Sequence, residues 1–207
     1  MLHHTLRSLW LWRDRQRRGR KLLRRVRSAD VAVISLGKSG RTWLRTMISH
    51  LYHQRHGLPS ETLLNFDNFH NLVPAIPRYF FGSLAADRLA PSGRTWAREV
   101  GNANKLILLV RDPRDVVVSF YFQLSERATS RALRRKGLES GDAVRQMPMA
   151  QFMLDDRLGL PRALAFVDAW LAVVAVHPAS MIVCYEDLRR DPLSTFTAVA
   201  PLPRPRL

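Results

Sequence analysis

Residues Val31 to Trp43, reading VAVISLGKSGRTW, constrain the fold more than any other stretch of the chain. Their first six residues are almost all apolar, three of them Val or Ile, which predicts a short strand buried on both faces of a parallel sheet and ending near Leu36. Gly37, Lys38, Ser39 and Gly40 follow. Trp43, Met47 and Leu51, with Leu44, Ile48 and Tyr52 beside them, then repeat every four residues, as in a helix with one buried face. A strand, a tight glycine turn and a helix start together make an anion site, because unpaired helix N–H groups and the positive end of the macrodipole meet at one spot. The glycines let the backbone turn and approach closely, Lys38 adds a point charge, and the Ser39 and Thr42 hydroxyls can donate to phosphate oxygens.

A second segment of the same type lies downstream. Lys105 to Val110, KLILLV, predicts a strand that runs into Arg111-Asp112-Pro113-Arg114-Asp115 and then VVVSFYFQL. Asp112 is suited to the N-cap, Pro113 to the first helical position and Asp115 to the first turn, while Val116, Phe120 and Leu124 supply a buried face. Open parallel sheets place ligands at the carboxyl ends of their strands, so two such helix starts point to one binding edge.

The chain of 207 residues and 23.8 kDa is one domain's worth, with residues 31–200 as its body. Its net charge of +16, carried by 29 Arg and 4 Lys, makes an anionic ligand plausible, and coding composition explains the arginine bias equally well. Residues 1–30 hold nine Arg and Lys21 against Asp14 and Asp30, and are expected to form a basic arm, solvated and partly frayed or in weak contact with an anionic membrane. No apolar run reaches the roughly 18 residues of a membrane span, and no nucleic-acid partner is expected. The single Cys184 excludes an intramolecular disulfide and fits a reducing, cytoplasmic location; no histidine motif implies a metal.

Between the two strand-to-helix units, His56-Gly57-Leu58-Pro59 reads as a helix stop, and residues 60–104, with Pro74, Pro77 and Pro91, read as loops with short helices. Residues 125–160 are basic and irregular, a flap or an unpaired arginine face. A helix from Pro161 to Val176 and a strand from Met181 to Tyr185 complete the pattern, and residues 201–207 are a Pro/Arg tail. The expected architecture is a three-layer, P-loop-like α/β fold, a central parallel sheet flanked by helices.

Gly37-Lys38-Ser39 matches the end of a Walker A motif, but the glycine needed five residues earlier is Ala32, which disfavours a nucleotide kinase. The segment instead resembles the phosphosulfate loop of the sulfotransferases, Pro-Lys-Ser-Gly-Thr-Thr-Trp: Lys38, Ser39, Gly40, Thr42 and Trp43 match, Gly37 replaces the proline and Arg41 the first threonine. Arg111 and Ser119, eight apart, resemble the family's 3′-phosphate motif, and Tyr185-Glu186-Asp187-Leu188 a further family segment in which the tyrosine lies near the adenine. The resemblance implies a cytosolic or bacterial type of sulfotransferase that binds 3′-phosphoadenosine 5′-phosphosulfate through Lys38, Ser39, Gly40, Arg41, Thr42, Trp43, Arg111, Ser119 and Tyr185, without a metal, and sulfates a small-molecule or glycan acceptor. Relatives take the acceptor's proton with the histidine of a Lys-Thr/Ser-His element. Here the matching place is assigned to Arg94-Thr95-Trp96, leaving His70 as the favoured base, with Glu61, Asp67 and Glu99 as alternatives. Relatives also continue past Asp187 with a basic segment absent here, so the domain is expected to be C-terminally incomplete. The competing reading is a non-catalytic remnant that binds nucleotide or an acidic partner.

Overall fold

The computed structural model describes residues 17–199 other than 60, 87, 89, 91 and 104; the first half of the basic arm and the Pro/Arg tail lie outside the described residues. Helix α1 (residues 17–27) leads into β1 (Val31–Ser35), the glycine turn and α2 (Arg41–His56). Then come α3 (Asn68–Leu72), β2 (Tyr79–Gly82), α4 (Trp96–Val100), β3 (Lys105–Val110) and α5 (Pro113–Phe122). A π-turn at Gln123–Arg127 precedes α6 (Ser130–Arg135), α7 (Gly141–Gln146), α8 (Met149–Leu154) and α9 (Leu160–Val176). The described chain closes with β4 (Ser180–Cys184), α10 (Tyr185–Arg190) and α11 (Pro192–Val199).

The four strands form one parallel sheet in the order β2-β1-β3-β4. Residues of β1 alternate between its two faces, as the two-residue period of a strand requires. Ala32 and Ile34 pack with Leu106 and Leu108 against Leu23 and Val26 of α1, Trp96 and Val100 of α4 and Trp170 of α9. Val31 and Val33 pack on the opposite side with Ile107 and Leu109 against Leu44, Ile48 and Tyr52 of α2, Phe69 of α3 and Leu188 of α10. The result is the expected three-layer α/β arrangement. A third cluster joins Leu36 to Val116, Val117, Phe152 and Ala163, and so seats α5, α8 and α9 beyond the carboxyl end of β1.

Three sequence expectations change. Tyr79–Gly82, inside a region read as loops, is a fourth strand on the sheet edge, paired with Val31 to Ile34. Residues 125–160 are three short helices, two of them capped by the Thr129 and Ser140 side chains. The arm is not wholly solvated: Leu23 and Val26 of α1 are core residues. Arg27 also donates twice to Glu99, at 2.8 and 3.0 Å, while Ser92 donates to the same carboxylate at 2.7 Å. No described helix is long and apolar enough to cross a membrane.

Glu99 is fully buried, and the Arg27 hydrogen bonds above all hold its carboxyl below the usual carboxylate range. A depressed folded pKa contributes stability that is present above the ordinary carboxylate range and lost as pH falls toward the lowered value. Arg27→Met removes that hold and leaves a buried carboxylate with the Ser92 hydrogen bond and the charge of Arg94, which is the smallest of the causes that lower its pKa. Acid titration followed by circular dichroism is expected to show unfolding at higher pH than in the wild type, with a lower urea midpoint at pH 7. An unchanged acid limb would contradict the assignment.

A candidate anion cradle at the carboxyl edge of the sheet

β1 and β3 are neighbours in parallel register, with Ser35 opposite Leu109, so the loop after one strand and Arg111 after the other emerge side by side. Lys38 adopts φ +76°, the only positive φ of a non-glycine among the described residues, and Gly40 follows at φ +88°. Left-handed backbone at an ordinary side chain costs about 1–2 kcal/mol and collects at ligand sites. Gly40 is also the N-cap of α2 and offers no capping side chain, and the first turn of α2 holds no acid. The leading N–H groups of α2 therefore meet neither a capping oxygen nor a carboxylate from their own helix start.

Arg111 ties the two strand ends together. Its Nη1 donates to the Lys38 carbonyl at 3.2 Å and its Nη2 to Asp115 at 3.0 Å, and its Cζ lies 4.4 Å from the centroid of the Tyr185 ring. Its Nε is buried with no partner among the described residues. The Tyr185 ring meets Trp43 edge-on at 5.8 Å and packs so closely on Gly40 that a Cβ there would overlap it. Lys38, Gly40, Trp43, Arg111 and Tyr185 thus converge. Lys38 is half-buried, and its ammonium makes no hydrogen bond or ion pair among the described residues.

The remaining predicted residues are arranged around this centre. Ser39 is buried, with its N–H 3.4 Å from the Leu36 carbonyl; Thr42 is exposed at the start of α2. Burial, and secondarily the charge of Arg45, lowers the pKa of Arg41. Ser119 is half-buried on α5, one turn beyond Asp115. Asp112 caps α5 by accepting from the Arg114 N–H at 2.8 Å, and the Arg114 guanidinium foremost holds its carboxyl at about 2. Its own N–H donates to Glu186 at 3.0 Å, which fastens α10 to the β3 exit.

His70 is not brought to the cradle. Its Nδ1 lies 2.8 Å from the Ile76 carbonyl, ahead of the start of β2, and its neighbour Phe69 packs on His53 in the last turn of α2, the end remote from the loop. Glu61 and Asp67 belong to the same region, between the end of α2 and the start of α3. Glu99 is committed to Arg27. The Arg94-Thr95-Trp96 assignment is also corrected: Thr95 caps α4 by accepting from the Arg98 N–H, and Trp96 is core. The residue that follows β2 beside the loop is Ser83, whose hydroxyl donates to the Ser35 carbonyl. Neither Ser83 nor Glu186 carried a role in the sequence reading; β2 itself had gone unrecognised, and no motif marks Ser83.

Gly40→Ala forces an alanine into left-handed backbone, at about 1–2 kcal/mol, and pushes the Tyr185 ring aside. In urea unfolding the loss is expected to exceed that amount in the wild type and to shrink toward it in a Tyr185→Ala background. Strictly additive losses would show that the ring is not seated on the glycine.

Comparison with known proteins agrees with this geometry. No curated protein matches the chain. The family described as Sulfotransferase domain matches residues 28–201, which include both strand ends and every residue of the cradle, and the chain belongs to the sulfotransferase family.

Proposed function

We propose that this chain moves a sulfuryl group from 3′-phosphoadenosine 5′-phosphosulfate to a hydroxyl or amine acceptor, with the cradle between β1 and β3 as the donor site. The observation that carries the reading is the Arg111 guanidinium bonded to the Lys38 carbonyl, with a buried Nε that meets no acceptor among the described residues. That arrangement suits a ligand bearing phosphates at two positions: one against the loop amides and the start of α2, the other against Arg111 and Ser119.

The donor supplies an activated sulfur–oxygen bond. In transfer that bond breaks, a bond forms from the acceptor atom to sulfur, the electron pair stays on the departing phosphate oxygen, and the acceptor's proton is released. Lys38 and the first N–H groups of α2 would stabilise charge as it builds on the bridging oxygen. Tyr185 acts as a positioning residue: its ring supports the Arg111 guanidinium on one side and fixes Gly40 on another. Ser39, Arg41, Thr42 and Trp43 complete the loop's contacts with the donor.

A second reading, a nucleotide binder without transfer, has one observation in its favour. The described histidines are committed elsewhere or turned to solvent: His50 is exposed midway along α2, His53, His56 and His70 gather at the far end of that helix, and His177 bonds the Ala103 carbonyl ahead of β3. Transfer of labelled sulfate to pooled phenols, alcohols and glycans separates the two. Under the proposal transfer occurs and Lys38→Ala reduces it by about 10²–10³-fold. Binding of 3′-phosphoadenosine 5′-phosphate without any transfer would select the second reading.

Arg111→Met removes the charged donor that joins the strand ends. Calorimetry is expected to show nucleotide affinity weakened by about 10–100-fold, the worth of one or two charge-assisted hydrogen bonds. An unchanged affinity would contradict the assignment of Arg111.

A further inference from the structure

A second cleft opens at Gly37, lined by Leu36, Val117, Phe120, Leu158 and Arg162 as well. Phe120 carries two cations on its ring: Lys136 Nζ at 4.7 Å from the centroid and Arg162 Cζ at 5.8 Å. Arg157 reaches the same corner, its Nη2 donating to the Lys136 carbonyl at 2.8 Å. Lys136 is half-buried, while Arg162 keeps much of its surface in solvent; desolvation lowers the pKa of both, and each is lowered further by a neighbouring cation, Lys136 by Arg162 and Arg162 by Arg88.

Among the described residues no carboxylate pairs with Arg88, Lys136 or Arg162, and their side chains make no hydrogen bond. Five other described arginines, Arg27, Arg111, Arg114, Arg145 and Arg190, each hold an acid, and most of the rest are single solvated charges rather than members of a cluster on one ring. Like charges brought together and partly desolvated raise the energy of the empty protein, and an oxyanion between them removes that cost. Arg162 also stands in the first turn of the 17-residue helix α9, whose N-cap, Gly159, offers no side-chain acceptor, so the helix dipole adds to the positive field.

We propose that the acceptor is itself an anion: a hydroxyl- or amine-bearing molecule whose carboxylate, sulfate or phosphate group lies between Arg162 and Lys136. The inference rests on the reading of the Lys38 loop as the transfer site, since the cleft shares Gly37 with that loop. The anionic group anchors the acceptor beside the loop and orients its nucleophilic atom toward Lys38. Arg111 takes no part, because it belongs to the donor's phosphate.

The test uses the full chain saturated with 3′-phosphoadenosine 5′-phosphate and two matched pairs of probes. One is 4-nitrophenyl β-glucuronide against 4-nitrophenyl β-glucoside, the other 4-hydroxyphenylacetate against 4-hydroxyphenylacetamide, with inorganic sulfate as a free-anion control. Calorimetry is expected to show the charged member of at least one pair binding about tenfold tighter than its neutral partner and displaced by sulfate. Arg162→Gln and Lys136→Gln should each reduce that preference at least about fivefold and leave nucleotide affinity unchanged. Equal affinities within both pairs, absence of binding by either charged probe, or a preference that survives both substitutions would overturn the proposal. Weakened nucleotide binding in the two variants would also overturn it, by assigning the cluster to the donor. Failure of the donor reading is visible separately, as absence of nucleotide binding by the wild type, and the probe titrations repeated without nucleotide still decide the anion site.

Discussion

The parallel pairing of β1 with β3 is the constraint on which the rest of the molecule depends. Because Ser35 stands opposite Leu109, the glycine turn and Arg111 leave the sheet at the same level, and one guanidinium can reach the other strand's loop. The interior secures that register. Both faces of β1 and β3 are covered, so a slip of one residue would exchange Ala32 and Ile34 for Val31 and Val33 and misfit both layers at once. The site's geometry therefore follows from packing far from any ligand.

The cradle concentrates conformational and electrostatic cost. Lys38 holds a left-handed backbone, Gly40 is pressed by Tyr185, Arg111 keeps an orphaned Nε, and α2 begins without a capping side chain. Each feature would be relieved by an ordinary substitution, and together they leave donors pointing at one place. Glu186 and Asp115 act on its margin, the first by accepting the Asp112 N–H, the second by holding Arg111 from the solvent side. Neither carboxylate is directed at the loop by any hydrogen bond among the described residues.

What could be read from the sequence was what local chemistry dictates. The turn after β1, the Asp112 cap, Pro113 and the stop at Gly57 all depend on residues within a few positions of each other, and all lie where the sequence put them. β2 escaped because it is an edge strand of four residues containing a glycine and preceded by prolines, and its pairing with β1 spans nearly fifty residues. Ser83 follows that strand and so has no local signal of its own, while Arg94-Thr95-Trp96, the segment that sequence spacing points to, supplies the cap and first residue of α4. The role of α1 was hidden for a related reason: its arginines dominate its composition, while Leu23, Val26 and the buried partner of Arg27 become visible only once Glu99 is in place. The cations on Phe120 come from the end of α6 and the start of α9, and their convergence on a ring of α5 has no sequence signature.

The central claim is that one doubly phosphorylated nucleotide bridges the two strand ends. A crystal structure of the complex with 3′-phosphoadenosine 5′-phosphate tests it most directly. The account predicts the 5′-phosphate against the amides that follow Gly37 and the 3′-phosphate within hydrogen-bond reach of Arg111 and Ser119. A nucleotide that engages only one of the two strand ends, or binds elsewhere on the protein, would contradict it.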